Sequence, residues 1–119
     1  MADPVQAFAS VEGSMSSDNG KRFHLHVTRE DGSHITLTFP HREIPNIIEC
    51  AAMQIANGME DGKPVVTAFR TSGFQVGHGP QGEIVLNMQV GKTGKIGFLI
   101  SPEMKVEMIA MLGRSETKH

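Results

Sequence analysis

The chain has 119 residues, 39% of them hydrophobic and 20% charged, with a formal net charge of -2. That length carries one ordinary core, and the slightly acidic balance excludes the strongly basic footprint of a duplex nucleic-acid binder. A single cysteine, Cys50, excludes an internal disulfide and fits a reducing, cytoplasmic setting; no signal segment opens the chain, and no apolar run reaches membrane-spanning length.

Residues 4–10, with Val5, Ala7 and Phe8, read as a first short strand, and 11–16 as a weaker second one. Asp18, Asn19 and Gly20 make a hairpin-type turn, since Asn and Gly tolerate positive φ. Phe23, Leu25 and Val27 then alternate with Arg22, His24, His26 and Thr28, the pattern of a strand with one buried face. Ile35, Leu37 and Phe39 alternate in the same way with His34, Thr36 and Thr38. The pleat constrains the connection. A two-residue loop would send the two apolar sets to opposite faces, whereas a three-residue loop of Glu30, Asp31 and Gly32 keeps them together. This sets Val27 opposite Ile35 and Leu25 opposite Leu37. Pro45 suits the start of a helix whose apolar stripe is Ile47, Ile48, Ala51, Ala52 and Ile55, with Gly58 as its stop.

The second half repeats the plan. Sliding the chain along itself by 61 residues brings Val5 onto Val66, Ala7 onto Ala68, Phe8 onto Phe69, Leu25 onto Leu86 and Ile35 onto Ile96. A loop of Lys92, Thr93 and Gly94 sets Val90 opposite Ile96, Met88 opposite Phe98 and Leu86 opposite Ile100. Ser101 then caps a helix that begins at Pro102 and carries Met104, Met108, Ile109, Met111 and Leu112, with Gly113 as its stop. The helices align better at an offset of 57, so a longer strand-to-helix loop is expected over 40–44. The expected fold is α+β: two tandem β-β-β-β-α repeats forming one pseudo-symmetric domain, with antiparallel sheets packed on two helices. Repeat one spans 4–58, a linker 59–64, repeat two 65–113 and a polar tail 114–119.

No motif carries a catalytic signature. Gly77 to Gly82 spells GxGxxG, but a strand follows it where a dinucleotide site needs a helix, and Pro80 removes an amide, so it reads as a wide hairpin loop. His24 and His26 share a strand face that a metal could use with His34, yet no Cys or carboxylate is placed to complete a ligand set. Cys50 reads as a partly buried small apolar residue beside the helix stripe. No catalytic, cofactor or metal residue is therefore assigned. The stripe Met104, Met108 and Met111 is either core or an interface with a second subunit, a dimer being favoured.

The polar face of Arg22, His24, His26, Thr28, His34, Thr36 and Thr38 contains no acid; it reads either as a solvated surface or as a track for a phosphate backbone. The equivalent face in the second half has Asn87, Gln89 and Lys95 with Val85 and Leu99, and looks more like a protein contact. The repeated strands-then-helix plan resembles the PUR-repeat and Whirly single-stranded nucleic-acid-binding fold. Residues 94–103, a glycine turn, an apolar strand and a Ser-Pro-Glu helix start, are similar to the positive-cofactor transcriptional coactivators that share it. The resemblance implies paired repeats and single-stranded nucleic acid as partner. A protein-interaction module acting as a homo-oligomer, and a His-based metal or small-ligand binder, stand beside that expectation.

Overall fold

The structure, a computed structural model, describes residues 6–65 and 68–116. It is α+β, with three antiparallel sheets and two helices among the described residues. The chain divides into two units, Met1–Thr67 and Ala68–His119.

In the first unit, β1 (Ala9–Ser17), β2 (Arg22–Arg29) and β3 (His34–Pro40) form a sheet in the order β1-β2-β3. The first turn is as expected: Asp18 and Asn19 both adopt φ 54°, and the Gly20 amide donates to the Ser17 carbonyl. The second hairpin keeps the expected register, with Val27 opposite Ile35 and Leu25 opposite Leu37, and Gly32 takes the left-handed position at φ 86°. Phe23 and Phe39 stack on the shared apolar face, centroids 6.2 Å apart. A 3-10 turn, His41–Glu43, fills the expected long loop and leads into α1 (Ile44–Ile55). Residues 59–64, expected as a linker, form a small hairpin of β4 (Met59–Glu60) and β5 (Lys63–Pro64), turned by Asp61 and Gly62 at positive φ.

The second unit holds β6 (Phe74–His78), β7 (Ile84–Val90), β8 (Gly94–Ile100) and α2 (Pro102–Glu116), with sheet order β6-β7-β8. Ser101 caps α2 as expected, its hydroxyl accepting from the Met104 amide at 3.2 Å.

Several expectations need correction. Three strands, not four, precede each helix among the described residues. Residues 6–8 are irregular, and the segment from 9 to 17 is one strand, because its small polar residues contain no turn signal; the chain absorbs its irregularity as a bulge at Glu12 instead. Val5 and Val66, which head the two copies, lie outside the described residues, as does the tail from 117 onward. The β7–β8 register is shifted by two: Val90 faces Gly94, Met88 faces Ile96 and Leu86 faces Phe98. Gly91 takes positive φ directly after Val90 and starts the turn early. A shift of two preserves the parity, so the apolar residues still share a face.

Helix α2 runs through Gly113 to Glu116, so that glycine is no stop. Crossing one exposed glycine costs only about 1 kcal/mol. Finally, among the described residues close backbone approaches between either helix and the sheet of its own unit are few at most. One residue, Ser101, separates β8 from α2, where about two to six usually turn a strand into a helix laid back on its sheet. Among the described residues the buried hydrophobic side chains are few, Val27 and Ile100.

The turn at Gly94 gives a direct test. A Cβ there would lie 2.6 Å from the Val90 carbonyl oxygen, while one at Gly13 would meet nothing within 4 Å. Gly94→Ala is expected to destabilise the second unit by about 1–3 kcal/mol, and Gly13→Ala to stay within about 0.5 kcal/mol of wild type. Urea denaturation followed by circular dichroism reads both; equal midpoints for the two variants would contradict the tight turn.

Candidate nucleic-acid interface

Strand alternation places Arg22, His24, His26 and Thr28 of β2 on one face, and antiparallel pairing sets the residues of β3 beside them. The register is His24 opposite Thr38, His26 opposite Thr36, and Thr28 opposite His34. Each pair is hydrogen bonded. His24 Nδ1 lies 2.9 Å from Thr38 Oγ1, His26 Nδ1 3.0 Å from Thr36 Oγ1, and His34 Nδ1 3.1 Å from Thr28 Oγ1. His24 also reaches Ser17 at the end of β1, with 2.6 Å between Nε2 and Oγ. The seven candidate residues thus form one surface, in which three imidazoles are bonded to hydroxyls across the strands.

This ladder fixes ring orientation. A hydroxyl can donate or accept, so either imidazole tautomer is satisfied at Nδ1. His26 and His34 keep Nε2 directed away from their threonine partners, without a hydrogen-bond partner among the described residues. His24 has both ring nitrogens engaged and none left for a metal. Among the described residues no group of three or more His, Cys, Asp or Glu could hold a metal ion. At the Arg22 end the face opens into a depression of about 340 Å³ lined by Lys21, Arg22, Thr38, Phe39 and Pro40. The Arg22 guanidinium carries no ion pair or hydrogen bond among the described residues. Two cations, oriented imidazoles and hydroxyls in a row can accept an anionic backbone.

The opposite end is closed by charge. Arg29 Nη2 lies 3.1 Å from Asp31 Oδ2, and Arg29 Nε donates to Ser33 Oγ. Asp31 Oδ1 accepts from the Ser33 hydroxyl and amide, at 2.6 and 2.9 Å. These Ser33 bonds, with Arg29 adding a smaller effect, lower the Asp31 pKa to about 2.

The other singled-out residues fall elsewhere. Met104 and Met111 are exposed on α2, and Met108 is half-buried. Cys50 is exposed, not partly buried. Residues 79–83 close the β6–β7 hairpin, with the Gly79 amide donating to the Glu83 carbonyl, so the glycine motif is a loop between strands. Sequence reasoning missed Ser17, Lys21 and the Asp31–Ser33 cluster. The register it had derived for β2 and β3 already implied the histidine–threonine pairs. No protein-family model, curated protein or solved structure matches the chain. No helix among the described residues is long and apolar enough to cross a membrane.

Because the folded Asp31 pKa is depressed, its bonds are fully present above the unfolded value of 3.8 and are lost as the pH falls through about 2. The Ser33 amide resonance should therefore hold steady from pH 7 to about 4 and move with a midpoint of about 2. Ser33→Ala should shift that loop transition, followed at Gly32, toward the ordinary carboxylate range. A wild-type midpoint near 4 would contradict the bonding.

Proposed function

We propose that the chain is a small binding module that takes single-stranded nucleic acid along the face of Arg22, His24, His26, Thr28, His34, Thr36 and Thr38. The observation that carries this reading is the oriented, acid-free ladder, which ends at Lys21 and Arg22. Successive pairs on this face repeat about every 6.8 Å, two residues of antiparallel strand. A flexible single strand can match that repeat; a rigid duplex would meet too little positive charge. The two units are read as tandem copies of one repeat, as the likeness to PUR-repeat and Whirly proteins implies. Three antiparallel strands followed by a helix in each unit support that reading.

Arg22→Ala should weaken binding of a short single-stranded oligonucleotide several-fold. It should also reduce the slope of log affinity against log salt by about 0.7, one phosphate contact. Fluorescence anisotropy with labelled oligonucleotides, at several salt concentrations, measures both. No binding at low salt would remove the proposal.

A second reading concerns assembly, as a homo-oligomer with a dimer favoured. Its support is apolar surface without cover: Phe74, Val76 and Phe98 on the apolar face of the second sheet are more than half exposed, as are Met104, Ile109, Met111 and Leu112 on α2. Surface of this kind is normally buried by a partner. Light scattering should give a mass above that of one chain, and Met108→Asp should lower it, since a buried unpaired charge is costly. A wild-type monomer at micromolar concentration would dismiss this reading.

A further inference from the structure

The second sheet has its own polar face, and its register brings together residues from all three strands. Gln75 on β6 pairs with Asn87 on β7, which pairs with Gly97 on β8; Gln89 pairs with Lys95. Residues paired across strands share a face, so Gln75, Asn87, Gln89 and Lys95 lie on one side. They surround a depression of about 200 Å³, completed by Gly73 and Phe74.

One glycine shapes it. A Cβ at Gly97 would lie 2.8 Å from Asn87 Oδ1, so a side chain there would make the Asn87 amide shift from its place beside β8. Gln89 Nε2 donates to the Lys92 carbonyl at 2.9 Å, which fixes that amide and leaves Oε1 as an acceptor. The side-chain amides of Gln75 and Asn87 and the Lys95 ammonium make no hydrogen bond or ion pair among the described residues. No carboxylate lines the depression.

A primary amide presents a donor and an acceptor side by side, the complement of a nucleobase edge. Lys95 adds a cation suited to phosphate. The backbone groups within the sheet are already paired between strands, so a peptide has no ladder to join on this face; strand addition needs an edge. The volume is well below the roughly 300–1,000 Å³ of drug-sized pockets and admits one planar ring system. We propose that this depression is a nucleotide subsite, in which Gln75, Asn87 and Gln89 hold one base edge and Lys95 holds its phosphate. It does not depend on the first-sheet face, and the base comes either from a free nucleotide or from a single strand.

The test follows side-chain amide resonances of the full chain by NMR. A nucleoside monophosphate is expected to move the NH₂ signals of Gln75, Asn87 and Gln89; the matching nucleoside should move the same signals at higher concentration, and inorganic phosphate should leave them in place. Lys95→Gln should weaken the monophosphate about tenfold and leave the nucleoside unchanged, and Asn87→Ala should weaken both. A short oligonucleotide that moves these amides at lower concentration than the monophosphate identifies a single strand as the source; the reverse order identifies a free nucleotide. The proposal is overturned if none of the three amides moves with millimolar monophosphate or with the oligonucleotide, or if movement is confined to the first sheet. Arg22→Ala should leave these shifts intact, so the two sites fail separately.

Discussion

A three-stranded sheet has two faces, and a hairpin loop with one residue too many or too few exchanges them. In this chain the second hairpin of each three-stranded sheet turns through three residues, Glu30 to Gly32 and Gly91 to Thr93, and each turn uses a left-handed glycine. That parity gathers Phe23, Leu25, Val27, Ile35, Leu37 and Phe39 on one side of the first sheet. It does the same for Leu86, Met88, Ile96 and Phe98 in the second. The same arithmetic leaves the opposite faces free of bulky aromatic residues. Both candidate binding surfaces are therefore by-products of how the apolar faces were kept whole.

The two polar faces solve hydrogen bonding differently. On the first, imidazoles and hydroxyls satisfy one another across β2 and β3, which costs some capacity for an outside ligand but fixes the rings that remain available. On the second, Gly97 leaves room beside Asn87, and two of the side-chain amides stay unengaged among the described residues. A rigid track suits a repeating backbone, whereas a small open depression suits a single group with its own donors and acceptors.

Much of this was readable from residue order, for reasons that also explain the misses. The alternation in 22–39 is strong and its loop is short, so faces and register followed together. In the second half two glycines, Gly91 and Gly94, could each serve the turn; parity is blind to a shift of two, and the register came out displaced. Segment 9–17 carries few large residues, so nothing in it showed a single strand rather than two. The helix stripes at Ile47 to Ile55 and Met104 to Leu112 were evident, but a stripe states only that a face is apolar, not what lies on it. The histidine face was found as a list of residues. Its bonds needed the register to be carried from apolar pairs to polar ones. The amide depression was half seen, through Asn87, Gln89 and Lys95; Gln75 was missed because β6 had been given no register.

Each open sheet also has borders. The first is guarded: the bulge at Glu12 interrupts β1, and Pro40 ends β3 without an amide to offer. The second is less protected. One of its two border strands, β8, Gly94–Ile100, has one charged residue, Lys95, no proline, and exposed Phe98 and Leu99. Such a border can template a further strand from any neighbouring molecule. At high concentration the chain's colloidal behaviour will therefore depend on how these seven residues are capped.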